Sequence, residues 1–183
     1  MKITSIDNTN RLFLVENLLP PDLVNEVLTI DWQAVSWKRG YLQETWSRRQ
    51  LDNNPVMDNV NDYISNHKDY IGEACGVKFE TPFTMWWYDE PGFDVGIHTD
   101  GHLPATMQMF WHAEDNKRGT VFYNSKNSSD IKQQFQFVPN TGYIMLNGLN
   151  KDGSQPLQWH GMLNRISQPR ITSYTVLGPY TVK

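Results

Sequence analysis

The chain has little of what would place it in several large protein classes. It has one cysteine, Cys75, in 183 residues. No internal disulfide can form, which excludes a disulfide framework and fits a reducing compartment. No apolar run approaches the ~20 residues of a membrane-spanning helix. No charged-then-apolar leader precedes Arg11. These absences set the expectation of a soluble, cytoplasmic protein. Basic residues are also outnumbered: 16 Lys and Arg face 20 Asp and Glu, for a net charge of -4. Duplex nucleic-acid binders usually carry a basic stripe, so this balance argues against a nucleic-acid partner. Internal repeats, low-complexity tracts and clear linkers are missing too, and the length suits a single domain over 1-183.

Aromatic side chains, by contrast, are abundant. They make up 13% of residues, with seven Trp, eight Tyr and eight Phe, and hydrophobic residues reach 39%. That composition builds a packed core and rules out a disordered chain. The helical signals fall early. Pro20-Pro21 opens a helix from Asp22 to about Ile30, with Leu23, Val24, Val27 and Leu28 at helical spacing. Asn54-Pro55 opens a second, with Val56, Val60, Ile64, His67, Ile71 and Ala74 on one face and Gly76 as the stop. Arg11–Glu16 reads as a short strand, and Trp32–Trp46 as strand and loop.

After Gly76 the chain reads as strands. Phe83, Met85 and Trp87 alternate with Thr84, Trp86 and Tyr88, and Asp94–Asp100 alternates after the Pro91-Gly92 turn. Further strands are expected at Ala105–His112, Thr120–Asn124, Gln133–Val138, Tyr143–Asn147, Leu157–Met162 and Arg170–Leu177. Turn signals such as Pro139-Asn140-Thr141-Gly142 separate them. Short strands so punctuated argue for a jelly roll or barrel. The expected class is α+β, mainly β, with helical support over about 17-76 and the β core over about 77-180.

One stretch carries chemistry. In Val95–Gly101, His98 and Asp100 are two apart, so on a strand they share a face. A third ligand from a late strand, His160 in Gln158-Trp159-His160-Gly161, completes two imidazoles and one carboxylate. That set leaves coordination positions open and is typical of non-haem Fe(II) oxygenases. Ten residues on, Arg170 and Thr172 again share a face. A planar guanidinium matches a carboxylate, a hydroxyl adds one hydrogen bond, and a buried arginine requires an anionic partner.

With these residues in place, the chain resembles the 2-oxoglutarate- and Fe(II)-dependent dioxygenases, closest to the prolyl-4-hydroxylase-like branch. The resemblance covers roughly 83–177. It includes Tyr88 upstream of His98-x-Asp100, the Gly119-Thr120-Val121-Phe122 turn into a strand and the Pro139-x-x-Gly142 turn. It implies a double-stranded β-helix core with helices packed outside, iron held by His98, Asp100 and His160, and the 2-oxoglutarate C5 carboxylate held by Arg170 with Tyr88 and Thr172. It also implies hydroxylation of a C–H bond with O2, releasing succinate and CO2, on a peptide, amino acid or other small molecule. Gln108 and Asn147 are further candidates for the pocket lining.

Two other functions compete. One is a nucleobase-directed demethylase of the same superfamily, but the second arginine typical of that branch is missing after Arg170. The other is a non-catalytic, cupin-like binding module. His102 shares the two-residue spacing with Asp100, although Gly101 and Leu103-Pro104 turn the chain there, so it is expected at the mouth of the site. His112 is expected to be structural or solvated, and His67 to pack on its helix. Trp86, Trp87 and Trp111 are expected in the core, as is Cys75. Arg48-Arg49 is expected to be a solvated charge pair; the sharper alternative has one of them, with Trp46 or Tyr41, contacting substrate.

Overall fold

The computed structural model describes residues 1–7, 9, 11–42, 47–80, 82–101, 103–113, 119–147 and 158–182. The first part of the chain holds strands β1 (Lys2–Ser5) and β2 (Leu12–Glu16), helix α1 (Pro21–Leu28), strands β3 (Trp37–Leu42) and β4 (Ser47–Leu51), and helices α2 (Pro55–Asn66) and α3 (Lys68–Ala74). The strands β5 (Val77–Phe79), β6 (Phe83–Asp89), β7 (Ala105–Ala113), β8 (Val121–Tyr123), β9 (Ile131–Gln134), β10 (Thr141–Leu146), β11 (Trp159–Gly161), β12 (Arg170–Val176) and β13 (Tyr180–Val182) follow.

Eight strands form one sheet in the order β1-β2-β10-β7-β12-β6-β4-β3, and three form a second in the order β11-β8-β9. The two sheets enclose an aromatic layer. Phe110 and Tyr143 of the large sheet meet Phe122 of the small one, with Phe135 and Phe137 beside them. Tyr143 stands edge-on to Phe122 with centroids 5.0 Å apart, and Phe110 stacks on Phe137 at 4.6 Å. Offset and edge-on pairs of this kind are the favoured aromatic geometries. The opposite face of the large sheet takes the helices. Val27, Met57, Val60, Ile64 and Ile71 pack on Trp86, Met107, Met109, Trp111, Ile144 and Ile171. A double-layered antiparallel barrel with helices on one side is the jelly roll expected from the strand pattern.

The helix starts follow their sequence signals. Pro21 sits in the first turn of α1. Asn54 caps α2 by accepting a hydrogen bond from the Met57 backbone N–H at 3.0 Å, a preferred N-cap chemistry. The expected single helix through Ala74 is broken at His67, whose ψ of 8° ends α2. The His67 ring bonds the Tyr63 carbonyl at 2.8 Å and stacks on the Tyr63 ring at 3.9 Å, so its role is local packing. The early strands are more numerous than the sequence reading allows. β1 and β2 join the large sheet at one edge and the β3–β4 hairpin at the other.

The expected strand over 94–100 also differs. It is extended chain with a single bridge, His98 to His160, made by reciprocal backbone bonds of 2.9 Å. The Met162 N–H adds a bond to the Val95 carbonyl at 3.0 Å. The segment therefore runs along β11 as an irregular outer member of the small sheet. Gly161 permits this approach, since a Cβ there would lie 3.0 Å from the carbonyl oxygens of Val95 and Gly96. Non-local pairing of so few residues is invisible to local periodicity.

Two core tryptophans carry satisfied indole N–H groups. Trp86 donates to Asn61 Oδ1 at 3.2 Å, and Trp111 to Ser173 Oγ at 2.9 Å with both residues buried. Removing one partner of a buried hydrogen bond costs roughly 1–3 kcal/mol. Trp111→Phe should lower the unfolding free energy by that order, read as a lower urea midpoint with an unchanged m-value. No loss of stability in equilibrium unfolding would mean that the bond contributes nothing.

Candidate functional site

Strand alternation decides which side chains enter the space between the sheets. On β6, Met85 and Trp87 line a cavity of about 310 Å³, while Trp86 and Tyr88 join the helix-facing core. On β12, Arg170 and Tyr174 line the same cavity, and Thr172 lies between them on the same face. The small sheet supplies His160, and the segment along it supplies His98 and Asp100.

His98, Asp100 and His160 bring one ligand atom each to within 4.8 Å of one another. His98 Nε2 lies 3.5 Å from Asp100 Oδ1, and His160 Nε2 lies 3.5 Å from Asp100 Oδ2. The other ring nitrogens are engaged with the backbone. His98 Nδ1 is 2.8 Å from the Gly96 carbonyl oxygen, and His160 Nδ1 is 2.9 Å from that of Gln158. A carbonyl only accepts, so each Nδ1 carries the proton and each Nε2 presents a lone pair toward Asp100. Ligating histidines are usually oriented in this way. The Tyr174 hydroxyl donates to Asp100 Oδ2 at 2.6 Å, and the Asn147 side-chain amide donates to the Asp100 carbonyl at 3.4 Å.

The electrostatics suit a cation. Burial opposes charge on Asp100, but at acid pH hydrogen bonding and attraction from the protonated His160 ring, the Tyr174 hydroxyl and protonated His98 outweigh it and hold the carboxyl at about 2. Burial, and then the neighbouring His160, lower the pKa of His98 and favour the neutral imidazole. Burial and the Asp100 charge raise Tyr174 well above a free phenol, so it remains a proton donor.

At the far end of the cavity stand two arginines. Arg170 is 4% exposed and donates from Nε to Asp89 Oδ2 at 2.8 Å. Arg48 donates from Nε to Asp89 Oδ1 at 2.8 Å, and its Nη2 lies 2.7 Å from the same oxygen. Arg48 therefore does not behave as the solvated charge the sequence reading favoured. Its guanidinium lies 4.6 Å from both the Trp87 and Phe93 ring centroids. Arg49 points the other way and pairs with Glu90.

The remaining candidates divide as follows. The Thr172 hydroxyl is fully buried and has no hydrogen-bond partner among the described residues. A buried hydroxyl left without a partner is costly, so this orphan fits a ligand oxygen beside Arg170. Tyr88, expected beside the cosubstrate, instead faces the helices, because the pleat turns it away when Trp87 faces inward. Gln108 lines the cavity as expected. Its side-chain carbonyl accepts from the Tyr143 hydroxyl and from the Thr120 hydroxyl at 3.3 Å. His112 is exposed, and Cys75 is buried. Trp86 and Trp111 belong to the core, whereas Trp87, also buried, is part of the cavity wall. His102, Trp46 and the Tyr41 side chain lie outside the described residues.

Sequence reasoning missed Tyr174, and it brought Arg48 to the site only in its alternative reading. Tyr174 continues the two-residue alternation of Arg170 and Thr172, so that signal was present. Arg48 carried no comparable signal, because its place depends on β4 pairing with β6.

No protein-family model matches the chain, and no curated protein matches it. Solved structures do. A Pseudomonas putida prolyl-4-hydroxylase superposes with a TM-score of 0.65 at 12% identity, covering 92% of each chain. The chain shares the fold of this prolyl-4-hydroxylase. A viral collagen prolyl hydroxylase from Paramecium Bursaria Chlorella virus-1, solved as a 2OG complex, gives 0.61 at 13% identity, covering 93% of this chain and 97% of that one. The non-heme alpha ketoglutarate dependent epimerase SnoN from nogalamycin biosynthesis gives 0.58 at 10% identity, covering 91% and 78%. Among the described residues, no helix is long and apolar enough to cross a membrane.

The site should bind one divalent ion, and His98→Ala or Asp100→Ala should abolish that binding by calorimetry with Mn(II). Asp100 stays ionised from about pH 8 to about pH 4, since its pKa lies near 2. Acid should therefore weaken binding by protonating ring nitrogen rather than the carboxylate, and burial with the neighbouring His160 holds the His98 ring below the usual imidazole range. Calorimetry in buffers of different ionisation enthalpy should count at most two protons displaced. A third would show that Asp100 binds a proton in the metal-free protein.

Proposed function

We propose that this chain is one oxygenase domain that uses Fe(II), 2-oxoglutarate and O2 to hydroxylate a C–H bond of a peptidyl residue, an amino acid or another small molecule. The observation that carries this reading is the pairing, in one cavity of about 310 Å³, of a two-histidine, one-carboxylate cluster with a buried arginine. The donor set suits iron with open coordination positions. The Arg170 fork and the Thr172 hydroxyl suit the distal carboxylate of a dicarboxylate. The neighbours named as prolyl hydroxylases and an α-ketoglutarate-dependent epimerase support the reaction class.

When bound, iron and 2-oxoglutarate supply the oxidation, in which O2 places one oxygen atom in succinate and one in the substrate as CO2 leaves. The protein's part is positioning. His98, Asp100 and His160 hold the ion on one side, and Tyr174 fixes the carboxylate of Asp100. Arg170 and Thr172 orient the cosubstrate. Met85, Trp87, Phe93, Val95 and Met162 wall the cavity and exclude water from it. The single buried cysteine fits work in a reducing compartment such as the cytoplasm.

Mixing Fe(II) and 2-oxoglutarate with the protein under anaerobic conditions should give a weak visible charge-transfer band that His98→Ala removes. A band that persists in that variant, or none in the wild type, would reject the oxygenase and favour a cupin-like binding module. Arg170→Ala should raise the 2-oxoglutarate requirement at least about tenfold, as expected for loss of a charge-assisted hydrogen bond, with Mn(II) affinity kept. Succinate release stimulated by members of a panel of peptides and amino acids would identify the substrate class.

A further inference from the structure

Arg170 is the cavity's expected carboxylate anchor, yet its charge is already answered. Its ion pair among the described residues ends on Asp89, which has no solvent exposure. An Arg170–Asp89 pair taken alone is neutral and offers a ligand carboxylate little net attraction. The positive charge is restored by Arg48, whose ion pair ends on the other oxygen of the same carboxylate.

The strand register makes this arrangement structural. Asp89 is paired with Arg48 on one side, across β4 and β6. It is paired with Arg170 on the other, across β12 and β6. Three residues on three adjacent strands form one row with the carboxylate in the middle. Both arginines line the cavity, and Asp89 does not. The row therefore presents two cations to the ligand space and keeps its anion behind them. Each guanidinium is also held by aromatic faces. Arg48 lies over Trp87 and Phe93, and Arg170 over Phe93 and Phe137 at 5.5 and 5.6 Å. Cation–π contacts of this kind restrain the forks without neutralising them.

The balance is specific. Two arginines and Asp89 sum to +1, and a divalent ion with Asp100 and two neutral imidazoles also sums to +1. A ligand with one carboxylate at each end cancels both. We propose that the distal-carboxylate site is a two-arginine clamp centred on Asp89, in which Arg48 from the edge hairpin supplies the net charge that makes the pocket select a dicarboxylate over a 2-oxo monocarboxylate. This deepens the oxygenase reading and rests on it.

The test is calorimetry on Mn(II)-loaded protein without oxygen, with two ligands. One is 2-oxoglutarate. The other is 2-oxopentanoate, which has a methyl group where 2-oxoglutarate has its distal carboxylate. Wild-type protein should prefer 2-oxoglutarate by at least about tenfold, the value of a charge-assisted contact. Arg48→Gln should lose most of that preference with Mn(II) affinity unchanged, and Arg48→Lys, which keeps the charge, should retain more of it. If Arg48→Gln fails to fold, Arg48→Met serves as the variant lacking the charge against which Arg48→Lys is compared. A wild type that binds both ligands alike, or a lysine variant no more selective than one lacking the charge, overturns the clamp. Equal, undiminished preference in Arg48→Gln also overturns the clamp while leaving the oxygenase reading intact. Failure of the wild type to bind 2-oxoglutarate at all overturns both.

Discussion

A carboxylate with no solvent exposure must be paired or protonated, and Asp89 is paired twice. The cost of burying a charge is several kcal/mol before compensation, so the arginines that compensate it are held as firmly as any core side chain. That constraint ties the β3–β4 hairpin, the centre of the large sheet and the far end of the cavity into one unit. Phe93 extends it, lying under both guanidiniums and packing with Met162 and Ile166. The His98, Asp100 and His160 cluster lines the same cavity from the small-sheet side, and Tyr174, four residues along β12 from Arg170, bonds its carboxylate.

The two faces of the large sheet divide the labour. One face is closed by helices and holds Trp32, Trp86 and Trp111 in a stacked row, with centroids 5.8 and 5.5 Å apart. The other faces the small sheet and changes character along its length, from the packed aromatics around Phe110 and Phe122 to the polar cavity. Successive residues on β6 therefore have opposite fates. Trp86 stabilises the core, Trp87 supports Arg48, Tyr88 returns to the helix side and Asp89 binds the arginines.

Much of this was legible in the sequence, for reasons that also explain the failures. His98, Asp100, His160 and Arg170 line one cavity, and within each segment local alternation of two is a reliable guide to direction. The jelly-roll class followed from strand count and turn chemistry. What failed depended on contacts between distant residues. Tyr88 was assigned by its position before His98-x-Asp100, and the phase of the β6 pleat places it on the wrong side. The 94–100 segment alternates like a strand but makes only one bridge, because Gly161 lets it approach β11 briefly. Arg48 looked solvated since nothing near it in sequence announces Asp89. The break at His67 arises from a side chain bonding its own helix, which apolar spacing does not register.

The bridge between His98 and His160 has a consequence for how the barrel holds itself shut. Two prospective ligands belong to segments joined by a reciprocal pair of backbone bonds, with a long stretch of chain between them. Such a seam opens at lower free energy than the packed sheet beside it. An ion shared by both imidazoles and Asp100 acts on the closed form alone, so its binding energy is added to the seam by mass action. Under the proposed function, the metal would serve as a clasp for the wall of the small sheet as well as a chemical centre. Amide exchange at these two histidines becomes a direct measure of how far the clasp is fastened.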